Sequence, residues 1–92
     1  MGKDNLKEEL VLDEVSSSNI AKLIVHNDEF NTFEHVIDSL IDVLKMSSVT
    51  AEQISYIVHF KGKASVKSGD HDELKPFKDA LNDRGLEVTI EM

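Results

Sequence analysis

The side chains in this sequence that could take part in chemistry lie mainly in two polar segments. The first is the run His26-Asn27-Asp28-Glu29, and the second centres on His59. Carboxylates and imidazoles can form an acid–base pair, hold a metal ion, or accept hydrogen bonds from a cationic ligand. These residue types therefore leave three kinds of site open: a hydrolase, a metal site and a binding pocket.

The first two kinds of site lack the partners they need. A hydrolase requires a nucleophile beside its base, and the sequence has no cysteine, no nucleophile elbow and no glycine-rich phosphate loop. Four histidines plus carboxylates are adequate material for a metal site, but no two histidines lie one helical turn apart on one helix face. We therefore expect no catalytic residue, no metal and no cofactor.

The third kind of site would bind a ligand that is cationic at one end and apolar at the other. Carbonyl, carboxylate and ring-nitrogen acceptors come from Asn27, Asp28, Glu29 and a neutral His59. Phe33, Val36 and Val58 lie within one helical turn of these groups, so an ammonium site would adjoin apolar side chains. The alternative is that residues 26–29 form a solvated turn and that His59 only caps helix carbonyls.

Hydrophobic spacing predicts the elements that must position these residues. Residues 1–18 have few apolar side chains and little for them to pack on, so we expect a flexible tail. Residues 20–25 are apolar and partly β-branched, which predicts a strand. Apolar residues at three-and-four spacing over 33–44 predict a helix that Asn31 caps, with Glu34 reaching back.

A second helix is predicted from a capping box that begins at Thr50 to a stop at Gly62, with Ile54, Ile57 and Val58 on its buried stripe. His59 would then lie in its last turn.

The rest of the chain predicts three further elements and one turn. Residues 64–66 indicate a short strand, and residues 67–70 indicate a turn. A third helix is expected over residues 72–83, with Pro76 in its first turn and Gly85 as a left-handed cap. Alternating apolar residues over 86–90 predict the last strand.

The resulting order, β-α-α-β-α-β, predicts one α+β domain over residues 19–92, with three helices on one face of a three-stranded antiparallel sheet. Ninety-two residues suffice for one small domain. A net charge of −8 disfavours nucleic acid and membrane surfaces as partners, and the absence of cysteine favours the reducing cytoplasm. No apolar run is long enough to span a membrane. Proteins or peptides are the expected partners.

Two blocks of the sequence resemble the ClpS family of Clp protease adaptors. Residues 23–38 read LIVHNDEFNTFEHVID, similar to that family's strand, Asn-Asp-acid turn, aromatic residue and helix with Glu-x-Val-Ile. Residues 57–64 read IVHFKGKA, similar to its Val-His-aromatic-x-Gly-Lys-Ala. The similarity extends more weakly over residues 19–92.

The resemblance implies a non-enzymatic adaptor that binds proteins with N-terminal Leu, Phe, Tyr or Trp and delivers them to a Clp-type AAA+ unfoldase like ClpA or ClpC. The matching positions for the α-amino group are Asn27, Asp28, Glu29 and His59. Those for the side-chain pocket are Asn31, Phe33, Val36, Ser55, Val58 and Leu86. The alternative is a small protein–protein interaction domain of related fold, such as a ribosome-stalk-like module, without N-terminal specificity.

Three positions depart from the family pattern. Glu29 stands where a second Asp is usual, and Phe33 and Ser55 stand where Met is frequent. The extra methylene of Glu29 moves its carboxylate, so its contact with an ammonium group could be indirect. A large rigid side chain at one pocket position and a small polar one at another lead us to expect a different side-chain preference.

Overall fold

The computed structural model describes residues 20–92. Its three strands and three helices follow the order β1 (Ala21–His26), α1 (Phe33–Leu44), α2 (Ser48–Lys61), β2 (Lys63–Gly69), α3 (His71–Asp83) and β3 (Glu87–Glu91). This order confirms the predicted β-α-α-β-α-β arrangement and the α+β fold class. The predicted tail, residues 1–18, lies outside the described residues.

The sheet has the strand order β2-β1-β3, and both neighbours of the central strand β1 run antiparallel to it. At the end of β1, His26 lies opposite Lys63 on one side and Glu87 on the other. The Nε2 atom of His26 is also 2.7 Å from the Oγ1 atom of Thr89 on β3. The last residue of β1 is thus held from both sides, which fixes the direction in which the chain leaves the sheet.

One hydrophobic core lies between the sheet and the helices. Its buried members come from every helix and from two of the strands: Ala21, Leu23, Val25, Leu40, Ala51, Val58, Leu74, Leu81, Leu86 and Val88. Along β1, the core-facing Ala21, Leu23 and Val25 alternate with the exposed Lys22 and with Ile24, which is buried on the opposite face of the strand. Each fully buried leucine contributes about 1.5–3 kcal/mol to folding.

The helix caps differ from the prediction. Helix α1 is capped by Thr32, whose Oγ1 atom accepts a hydrogen bond of 3.0 Å from the backbone N–H of His35. The predicted cap, Asn31, is wrong because its side chain is bonded elsewhere, as described below. Helix α2 begins earlier than predicted because Ser47, and not Thr50, caps it.

Replacing Thr32 by alanine should lower the free energy of unfolding by about 1 kcal/mol, because one N–H of the first turn of α1 loses its acceptor. Thermal denaturation would measure the loss. Thr50→Ala is the matched control: it removes only an exposed hydrogen bond from the Ser47 hydroxyl, keeps the backbone N–H that Ser47 caps, and gains from the higher helix propensity of alanine. An unchanged melting temperature for Thr32→Ala would contradict the assignment of this cap.

Helix α2 ends as predicted at Gly62, whose φ of 95° is in the left-handed region. Of its predicted buried stripe, Val58 is buried and Ile54 is half-buried against the core, and Ala51 and Ser55 complete the buried side. Ile57, predicted to be buried, is 43% exposed. The small side chains at positions 51 and 55 face the core, so the most apolar residues are a poor guide to the buried side of this helix.

Two predictions for the second half of the chain were wrong. The turn expected at residues 67–70 is largely strand, because Lys67, Ser68 and Gly69 continue the pairing of β2 with β1. Pro76 lies at the sixth position of α3 and not in its first turn. The end of α3 agrees with the prediction, since Gly85 follows it with a φ of 92°.

Candidate binding site

The turn that follows β1 is tied to the end of helix α2. The backbone N–H of Asn27 donates a hydrogen bond of 2.8 Å to the carbonyl oxygen of Gly62. His59 lies in the last turn of the same helix. Two segments that are distant in the sequence, the run 26–29 and the region around His59, are brought together by this bond.

The carboxylate of Asp28 organises the turn itself. Its Oδ1 atom accepts hydrogen bonds from the backbone N–H groups of Phe30 at 2.8 Å and Asn31 at 2.9 Å, and its Oδ2 atom accepts one of 2.8 Å from the Asn31 side-chain amide. Partial burial acts to raise the pKa of Asp28, but these hydrogen bonds outweigh it, and the pKa lies below its ordinary value. Asp28 is therefore ionised at neutral pH.

Asn31 connects this turn to the turn between α3 and β3. Its Nδ2 atom donates to Asp28 and also, at 2.9 Å, to the carbonyl oxygen of Gly85. Gly85, whose carbonyl accepts this bond, has a positive φ, which glycine adopts without strain. The amide of Asn31 thus joins two turns that come from opposite ends of the described chain.

An open cleft of about 620 Å³ lies over these turns. Its lining residues are Asn27, Asp28, Glu29, Phe30, Asn31, Phe33, His59 and Glu87. Three of them are carboxylates and none is Lys or Arg, so the cleft has a negative potential that attracts cations.

A small cavity of about 20 Å³ adjoins the cleft. Its lining residues are Asn27, Asn31, Phe33, Val36, Ser55, Val58 and His59. Four residues, among them Phe33 and His59, border both spaces. A ligand in the cleft would therefore have its polar acceptors and an apolar wall within the same few ångströms.

The structure brings nine of the ten predicted site residues to the cleft or the cavity. The exception is Leu86, which is buried in the core and borders neither space. Two lining residues were missed: Phe30, which is 92% exposed, and Glu87 at the start of β3. Phe30 follows the polar run directly, which was a usable signal, whereas Glu87 reaches the cleft only through its pairing with β1.

Aromatic side chains line the outer face of α2 beside the cleft. The ring centroid of Phe33 is 4.8 Å from that of Tyr56, and the rings of Tyr56 and Phe60 are stacked at 6.0 Å. His59 meets the edge of Phe60, with ring centroids 5.0 Å apart. The imidazole ring of His59 thus packs against the edge of Phe60, and His59 also borders the cleft.

His35 links helix α1 to the end of helix α3. Its Nε2 atom is 2.7 Å from the carbonyl oxygen of Arg84, at the end of α3. The side chain of Arg84 donates from Nε to Ser39 at 2.9 Å and forms an ion pair with Asp42 at 3.2 Å. These contacts hold α1 against the end of α3, and part of the acidity of α1 is neutralised there.

Within residues 20–92, no three His, Asp or Glu side chains lie close enough together to hold a metal ion. In the same part of the chain, no helix has the length and hydropathy needed to cross a membrane.

The fold and the site together define a small α+β binding domain with an acidic cleft beside an apolar-walled cavity. The sequence model of one family, described as ATP-dependent Clp protease adaptor protein ClpS, matches residues 16–89. The chain belongs to the ClpS family of Clp protease adaptors.

Individual relatives agree with this assignment. The ClpS adapter of Synechocystis sp. is 38% identical over 66 residues, covering 71% of this chain and 67% of the relative. That of Corynebacterium diphtheriae is 30% identical over 92 residues, covering 99% of this chain and 81% of the relative. Among solved structures, Agrobacterium tumefaciens ClpS2 bound to L-phenylalaninamide has a TM-score of 0.68 and 26% identity, covering 79% of this chain and 95% of that one.

Proposed function

We propose that this adaptor binds the free N-terminus of proteins that begin with a bulky hydrophobic residue and delivers them to a Clp-type AAA+ unfoldase in the cytoplasm. The adaptor itself catalyses no reaction. The observation that carries the proposal is the contact between the two spaces: an acid-lined cleft and an apolar-walled cavity share four lining residues. A protein N-terminus has the matching chemistry, since a cationic amine and an apolar side chain are attached to one carbon atom.

The ammonium end of the ligand is assigned to the cleft. The Asn27 side-chain carbonyl, the Glu29 carboxylate and the His59 ring nitrogen provide acceptors there. Both carboxylate oxygens of Asp28 already accept hydrogen bonds within the turn. Asp28 therefore contributes mainly negative charge and the shape of the turn, and less a free acceptor for the ligand. Glu87 adds a further negative charge to the cleft.

The side chain of the ligand's N-terminal residue is assigned to the cavity and to its border with the cleft. Val36 and Val58 form its apolar wall, and Phe33 lies where the two spaces adjoin. The cavity of about 20 Å³ is much smaller than a leucine or phenylalanine side chain. A bulky residue would therefore displace Phe33, whose outer neighbour Tyr56 is about half exposed and can move with it.

The related structure supports this assignment through its ligand. L-phenylalaninamide carries a free α-amine and a benzyl side chain, and it is bound by Agrobacterium tumefaciens ClpS2, whose fold this chain shares. An amino-acid amide has no second residue, so the amine, the first side chain and the amide group are the parts available for its recognition. Two of these groups, the amine and the side chain, match the two spaces found here.

Fluorescence anisotropy with short labelled peptides that differ only at residue one tests the proposal. We expect binding of peptides with N-terminal Leu, Phe, Tyr or Trp at micromolar concentration or below, and no binding of N-acetyl-Phe, because acetylation removes the cation. Asn27→Ala should abolish binding while keeping the fold, since the backbone N–H that bonds Gly62 remains. The circular dichroism spectrum of the variant provides the check on folding.

Delivery is tested in the same variant pair by degradation of a reporter with N-terminal Phe, using a Clp unfoldase and its peptidase. Wild type should accelerate degradation and Asn27→Ala should not. If no free N-terminus binds, the proposal fails and the interaction-domain alternative is favoured. Binding without accelerated degradation would refute delivery to that unfoldase only.

A further inference from the structure

The hydroxyl group of Ser55 is buried at the cavity without a hydrogen-bond partner among the described residues. Ser55 is 2% exposed, and its Oγ atom has neither a protein acceptor nor a protein donor within residues 20–92. The other buried serine, Ser39, accepts a hydrogen bond from Arg84. An unpaired buried hydroxyl is unfavourable because it has given up its hydrogen bonds to water.

The cavity next to this hydroxyl has room for one small polar group. About 20 Å³ slightly exceeds the 10–15 Å³ that a single water-sized group requires. The cavity wall combines Ser55 with the apolar Val36 and Val58. A ligand side chain that reaches the cavity would bind most tightly if it were apolar along its length and ended in a single hydroxyl group.

We propose, on the basis of the function proposed above, that Ser55 makes this adaptor select N-terminal tyrosine over N-terminal phenylalanine. The tyrosine ring would take the space opened by the displacement of Phe33, where cleft and cavity adjoin, and its phenolic hydroxyl would pair with the Ser55 Oγ atom. Both hydroxyls can donate and accept, so the pair can form in either direction. Phenylalanine would fill the same space and leave the Ser55 hydroxyl unpaired.

The experiment compares three peptides that differ only at residue one: tyrosine, phenylalanine and para-methylphenylalanine, which has about the shape of tyrosine but no hydroxyl. With wild type we expect tyrosine to bind about tenfold more tightly than either of the others. With Ser55→Ala this preference should fall below about threefold. Alanine removes no hydrogen bond at this position and favours helix, so the variant should fold.

Ser39→Ala is the matched control, because Ser39 is equally buried but borders neither the cleft nor the cavity. It should keep the wild-type preference for tyrosine. Para-methylphenylalanine binding as tightly as tyrosine, or a tyrosine preference that survives in Ser55→Ala, would overturn this inference while leaving the proposed function intact. Binding of none of the three peptides would overturn the proposed function and this inference together.

Discussion

Replacing Asn31 by alanine should lower the affinity for a peptide with N-terminal phenylalanine about 30-fold. The side-chain amide of Asn31 donates to the Asp28 carboxylate and to the Gly85 carbonyl. Without these two hydrogen bonds the turn of residues 27–31 is less ordered in the free protein. The free energy needed to order it on binding lowers the affinity. A cost of about 2 kcal/mol, which is within the range for a hydrogen bond to a charged group, corresponds to this loss of affinity.

Calorimetric titration would measure the loss, and thermal denaturation should show a lower melting temperature for the same variant. Asn82→Ala is the matched control: Asn82 is also half-buried and lies near the same turn, and its backbone carbonyl, which accepts from Gly85, is kept in the variant. It should bind like wild type. If Asn31→Ala binds as tightly as Asn82→Ala, the amide does not organise the site.

Replacing His59 by alanine should weaken peptide binding about tenfold. The ring nitrogen of His59 is one of the acceptors proposed for the ligand's ammonium group, and alanine has no acceptor. Loss of one hydrogen bond to a charged group costs about 1.5 kcal/mol, which corresponds to about tenfold in affinity.

The measurement is the dissociation constant of a peptide with N-terminal phenylalanine for wild type and two variants at one neutral pH. His71→Ala is the matched control and should bind like wild type, because His71 lies on α3 and borders neither the cleft nor the cavity. Binding by His59→Ala as tight as that by His71→Ala would exclude the His59 ring as an acceptor.

Much of the fold was predictable because its signals are local. The apolar spacing of α1, the glycine after α2 and the alternation along β3 each act within a few residues of the element they define. The caps were predicted less well. Asn31 is as good a capping residue as Thr32 by type, and only the distant Gly85 carbonyl shows why Asn31 is engaged elsewhere.

The candidate site was predictable where its residues fall at positions of the family pattern, eight of them in the two quoted sequence blocks and Ser55 outside them. Those blocks could not predict that the acidic cleft and the small cavity adjoin. The burial of Ser55 depends on the packing of α2 against α1 and the sheet, and its unpaired hydroxyl is evident only once that packing is known. Glu87 reaches the cleft because β3 pairs with β1, a contact between opposite ends of the domain.

The bond from Asn27 to Gly62 and the bond from Asn31 to Gly85 have a consequence for how the adaptor matures. Both join residues far apart in the chain, and Asn31 and Gly85 are separated by 54 positions. Such contacts cost more loop-closure entropy than local ones, so we expect them to form after the helices. A partly folded chain, including one still under synthesis, would thus have no binding site, and the amide hydrogen of Asn27 should exchange with solvent only when its bond to Gly62 opens.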